Sequence, residues 1–176
     1  MKKITTILTL GFLFLFATTL SLSAQKCKYD YNKADPITGE ATKGNSFSVW
    51  SFMGMSGWSL GFNKIGDTYY TGMFLRCSGN VREFIKKGDP ITLKLSNGEV
   101  ITINAQDEFL PVAQATQNGV VTTYNGKYNI DETILQKIAA SAPTFIRMTI
   151  ESKVYEREIS AKDGKKASEA ARCILQ

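Results

Sequence analysis

The sequence predicts an α+β fold: a mainly antiparallel β-sheet of about seven or eight strands, curved or closed into a partly open barrel, with two late helices. Three observations predict it. Apolar and polar residues alternate with period two through successive segments of the first three quarters of the chain. Turn signals such as Gly66-Asp67 and Asn97-Gly98 separate those segments at hairpin spacing. The period then becomes helical near residues 131–141 and again near 163–174.

Residues 28–45 are polar and broken by Asp35-Pro36-Ile37-Thr38-Gly39, a turn signal, so one short strand is predicted near Lys28 to Asn32. In Phe47–Met53 the large side chains fall on both faces, which suits a strand covered on both sides. Gly54-Met55-Ser56-Gly57 reads as a turn, since no Gly-Lys-Ser/Thr and no helix start follows to make a phosphate loop. Trp58, Leu60 and Phe62 alternate with Ser59, Gly61 and Asn63. The next strand, Thr68–Cys77, places Tyr69, Met73, Leu75 and Cys77 on one face and Tyr70, Phe74 and Arg76 on the other.

Val81–Lys87 fits either one helical turn or a strand. Ile91, Leu93 and Leu95 alternate up to the Asn97-Gly98 turn, and Glu99–Ile103 returns beside them. Residues 105–118, with Pro111, read as a loop, and Val120–Tyr124 as a strand ended by an Asn125-Gly126 turn. Ile134, Leu135, Ile138 and Ala139 have helical spacing, with Asn129 or Asp131 as the cap and Pro143 as the stop. Thr144–Ile150 and Lys153–Ile159 form a last hairpin, and Asp163 is the predicted cap of a final helix through Ile174.

Residues 1–24 read as a cleavable signal peptide, leaving one globular domain over 25–176 in the periplasm or outside the cell. Lys2 and Lys3 precede an uncharged stretch with its densest part at Ile7–Phe16, and small residues gather at Ser21-Leu22-Ser23-Ala24. Gln25-Lys26 before Cys27 are too long and polar for a lipid-attachment site. No second apolar stretch approaches the length of a membrane span. The net charge of +5 loses two positive charges with the leader. The basic clusters Lys86-Lys87 and Lys162–Lys166 are too short for a nucleic-acid surface. Outside the cytoplasm the three cysteines make one disulfide and one thiol. Cys27 and Cys173 lie near the two ends of the domain, which tend to meet at the surface, so they are the predicted pair. Cys77 then reads as a small buried hydrophobe.

The chain has no histidine, which excludes Ser-His-Asp and Cys-His nucleophiles and histidine bases. It also has no metal-ligand spacing, and no metal or cofactor is expected. Asp107-Glu108 alone is too few ligands for calcium. Glu156 and Glu158, two apart on a strand, are the best-spaced carboxylates for hydrolysis. Aromatic residues crowd three successive strands. Trp50, Phe52, Trp58, Tyr70 and Phe74 are the candidate binding residues, because rings on an uncovered sheet face form a contact surface for a protein, peptide or glycan. The leading expectation is therefore a non-catalytic binding module. A small secreted enzyme inhibitor, presenting residues 105–118, comes second, and a carboxylate hydrolase third.

Overall fold

The structure, a computed structural model, describes residues 27–52 and 56–176. The leader read at residues 1–24 and the Gly54-Met55 part of the predicted turn lie outside the described residues. The strands are β1 (Tyr31–Ala34), β2 (Ala41–Phe52), β3 (Ser56–Ile65), β4 (Thr68–Ser78), β5 (Pro90–Leu95), β6 (Val100–Ala105), β7 (Val112–Thr116), β8 (Gly119–Asn129), β9 (Pro143–Ile150) and β10 (Lys153–Glu158). Helix α1 (Glu132–Ala140) lies between β8 and β9, and α2 (Ala161–Leu175) follows β10.

The strands form one antiparallel sheet in the order β1-β2-β3-β4-β8-β6-β5-β9-β10, with β7 paired to β8 beside that path. The sheet has ten strands rather than seven or eight, and it does not close into a barrel. The miscount has a local cause. Strand β7 lies inside the stretch read as a loop, and all of its residues are exposed, so no apolar alternation marks it. The early strand sits at Tyr31–Ala34, slightly later than predicted, and β2 begins at Ala41. Val81–Lys87 forms no helical turn; Ile85 makes a single bridge to Phe109.

Asn125-Gly126 is not a turn either, because β8 runs straight through it. Gly126 lies opposite Met73 of β4, and the Phe109 ring fills the space its Cβ would occupy. Phe109 also packs on Tyr128, with ring centroids 5.7 Å apart. The glycine is there for close approach, not for chain reversal.

Elsewhere the alternation is obeyed. Ile91, Leu93 and Leu95 of β5 and Ile101, Ile103 and Ala105 of β6 are buried. Phe47, Leu60 and Met73 lie side by side across β2, β3 and β4 on the same inner face. Both helices pack on that face. Leu135 and Ile138 of α1 and Ala167, Ala170, Ala171 and Ile174 of α2 complete the core. Asp131 caps α1 by accepting from the Ile134 N–H at 2.7 Å. The cap of α2 is Ser160, not Asp163: its hydroxyl accepts from the Asp163 N–H and donates to the Asp163 carboxylate, a reciprocal box that closes the first turn.

Cys27 and Cys173 are bonded, with Cα atoms 5.4 Å apart, and the Tyr29 hydroxyl donates to the Cys173 carbonyl at 2.8 Å. The N-terminal segment is thus tied to α2 across a sequence separation of 146. A cross-link over so long a loop removes much freedom from the unfolded chain. Reducing it, or replacing Cys27 by Ser, is expected to lower unfolding free energy by about 2–5 kcal/mol. Denaturant titration with and without reductant measures this, and an unchanged midpoint would refute it. Gly126→Ala is expected to cost about 1–3 kcal/mol through overlap with Phe109. A double-mutant cycle with Phe109→Ala should recover most of that loss.

Candidate functional site

One inserted residue determines where Trp50 and Phe52 point. Along β2, Ser48 pairs with Ser59, but Trp50 pairs with Trp58, so Val49 is an extra residue in the ladder. A strict alternation from Phe47 would send Trp50 and Phe52 to the outer face. The bulge shifts the phase by one, and Trp50 joins Trp58 on the inner face. Phe52 follows and stacks on Trp50, with centroids 6.4 Å apart and planes 5° from parallel.

These rings border a cleft of about 320 Å3, with Trp50, Trp58, Leu75, Cys77 and Val81 forming its floor and one wall. Strand β10, from the far edge of the sheet, forms the other wall with Lys153, Tyr155, Glu156 and Arg157, and Arg76 of β4 also borders the cleft. The curled sheet therefore brings its two halves together here. The Arg157 guanidinium lies 4.8 Å above the Trp50 ring and donates to the Glu156 carbonyl at 2.7 Å. Lys153 pairs with Glu83 at 2.5 Å. The side chains of Cys77 and Tyr155 are hydrogen-bonded to each other. Trp58 is only 2 % exposed, yet among the described residues its buried indole N–H has no hydrogen-bond partner.

Burial pushes the Cys77 thiol up, and burial likewise pushes Tyr155 up to about 12. Both groups are neutral at physiological pH. A raised thiol pKa is the opposite of what a cysteine nucleophile needs. The cleft accordingly offers aromatic walls, neutral hydrogen-bonding groups and cations at its rim.

The five predicted binding residues do not form one patch. Trp50 and Trp58 line the cleft, and Phe52, 53 % exposed, extends the Trp50 stack at its edge. Tyr70 and Phe74 point the other way, onto the face the helices leave uncovered. There the Tyr31 hydroxyl donates to Asn63 Oδ1 at 2.6 Å and lies 3.4 Å from the Tyr70 hydroxyl, while Lys127 sits 4.8 Å over the Tyr70 ring. Phe74 is 42 % exposed beside the small residues Ser48, Gly57 and Ser59.

Glu156 and Glu158 share the outer face of β10, both exposed. Glu156 is held by Arg147 at 2.9 Å, and Glu158 borders a shallow groove of about 670 Å3 with Phe145 and Arg147. Asp107 and Glu108 are exposed in the β6–β7 connection. Among the described residues, no helix is long and apolar enough to cross a membrane, and no three His, Cys, Asp or Glu side chains gather to hold a metal ion.

Tyr155, Lys153 and Arg157 carry no local signal that they face the tryptophans, because the approach of β10 is a long-range consequence of sheet curvature. No protein-family model, curated protein or solved structure matches this chain.

Burial raises the phenol pKa of Tyr31, Tyr124, Tyr128 and Tyr155 above the ordinary 10.0. For such groups the folded chain holds its protons more tightly than the unfolded chain. Their contribution to stability is full below the ordinary phenol range and is lost as pH rises through and beyond it. Spectrophotometric titration should show these phenols ionising late, together with the loss of tertiary structure. Ionisation of all seven tyrosines near pH 10, with the fold intact, would contradict this.

Proposed function

We propose that this chain is a non-catalytic binding module acting in the periplasm or outside the cell, and that its site is the cleft between the Trp50–Trp58 pair and β10. The unpartnered Trp58 indole N–H carries this reading. A buried donor without an acceptor costs free energy, and native proteins keep few of them. A ligand bringing an acceptor into the cleft satisfies that donor while its apolar part covers Trp50, Leu75 and Val81. Specific pockets commonly combine apolar walls with a few fixed polar groups, at volumes from about 300 Å3 upward. The partner is a protein, peptide or glycan that inserts one such group, with the exposed Phe52 as an added contact beside the entrance.

The test uses p-cresol as the probe, a ring with one hydroxyl. Its titration is expected to shift the Trp58 indole N–H resonance saturably, with a Kd of roughly 1 mM, equivalent to about 4 kcal/mol. Val81→Phe, which fills the rim, should abolish the shift, and Trp50→Ala should weaken binding. A Trp58 resonance that never responds would sink the assignment.

A second reading, a small enzyme inhibitor, draws on the β7–β8 hairpin. Thr116 and Gly119 are paired at its tip, and β7 is exposed throughout. Inhibition of any hydrolase in a panel, lost when Gln117-Asn118 and the adjoining pair are removed, would favour it over the cleft.

A further inference from the structure

We propose that the cleft is selective for a carboxylate attached to an apolar group, with Arg157 as the residue that reads the charge. This inference rests on the cleft being the binding site, and it adds the class of ligand.

The charges around the cleft are not equivalent. Lys153 is countered by Glu83 at 2.5 Å. Glu156 also borders the cleft, but its carboxylate is already paired with Arg147 at 2.9 Å. Among the described residues, no carboxylate lies within ion-pair distance of Arg157. Its guanidinium is held by the Trp50 ring and the Glu156 carbonyl, and one donated bond uses only one of its five N–H groups. Stacking fixes the plane of the guanidinium without neutralising it. The cation is thus oriented, uncompensated and beside an apolar wall formed by Trp50, Leu75 and Val81.

A carboxylate fits this arrangement in charge and shape. It is a monoanion facing the Arg157 cation. Its two coplanar oxygens match the parallel N–H groups of a guanidinium edge. A further acceptor on the ligand would serve Trp58, which lines the same cleft and whose buried indole N–H has no partner among the described residues. The volume of about 320 Å3 suits one ring or aliphatic side chain rather than a nucleotide or an extended chain. The same chemistry exists in two sources: a free arylalkyl acid, and the C-terminal residue of a polypeptide with an apolar side chain.

Calorimetry or chemical-shift titration on the oxidised protein can separate them. The probes are 3-phenylpropionate and its neutral amide, and N-acetyl-Ala-Ala-Phe with a free or an amidated C-terminus. The acid of at least one pair is expected to bind about tenfold more tightly than its amide, the size of one charge-assisted contact. The pair showing this preference identifies the source. Arg157→Gln should remove the difference between acid and amide, and Arg157→Lys should restore part of it. Arg157 is exposed on an edge strand, so these variants are not expected to unfold the chain. Should they do so, the acid–amide comparison on the unaltered protein decides alone. Equal binding of acid and amide in both pairs overturns carboxylate selectivity but leaves the cleft as a site. No binding by any of the four probes overturns carboxylate selectivity, and if p-cresol also leaves the Trp58 resonance unmoved, the cleft falls with it.

Discussion

Helix α2, packed on the inner face of the sheet, holds the two halves of this protein together. It rests on β2 and β3 from one half, on β9 from the other, and on α1 alongside. Its buried side is made of small residues, Gly164, Ala167, Ser168, Ala170 and Ala171, with Ile174 near the end. Small residues let the helix lie close, and Gly164 shows how close: a Cβ there would come within 2.5 Å of the Pro143 carbonyl oxygen at the start of β9. A bulkier side would hold the helix away and prevent the sheet from wrapping around it. The Cys27–Cys173 bridge then ties the chain's entry into β1 to the last turns of the same helix.

Wrapping around α2 has a consequence at the end of the sheet distant in strand order. β10 is an edge strand, at the opposite end of the path from β1, yet its Arg157 lies over the Trp50 ring of β2. The seam between them is not zipped by backbone pairing. It is spanned by side chains: Arg157 on Trp50, Tyr155 on Cys77, and Lys153 on Glu83. A closed barrel would have consumed this space with ladder hydrogen bonds. Because the sheet stops short of closure, a cleft remains where two tryptophans and an arginine face one another.

How much of this is legible in the chain depends on the range of the interaction. Local periodicity located β3 to β6, the last hairpin and both helices, because each buries one face against the core and so must alternate. It missed β7, whose Val112-Ala113-Gln114-Ala115-Thr116 is exposed on both faces and has nothing to alternate against. It misread Asn125-Gly126, where the ring of Phe109 uses the space that makes glycine look like a turn residue. The Cys27–Cys173 pair was legible because chain ends tend to converge. Of the candidate site, the aromatic crowding and the separate face of Tyr70 and Phe74 were visible, but the side taken by Trp50 and Phe52 was not. That side turns on one inserted residue, Val49, and a phase slip of one residue leaves no mark in composition. The β10 wall was invisible for a different reason: it depends on curvature summed over the whole sheet.

Under the proposed reading, the seam joins ligand binding to stability. A surface ion pair or a single cation–π contact contributes little on its own, about 0–1 kcal/mol, so the side-chain bridges between β10 and β2–β4 are a modest closure. The buried Trp58 donor left unpartnered at the same place works against it. Any ligand that supplies an acceptor there and contacts both walls adds its binding free energy to that closure, because it binds only the arrangement in which the walls face each other. The bulge at Val49 thus does more than re-aim two rings: it brings Trp50 beside Trp58 at the edge where β10 meets β2 through side chains alone.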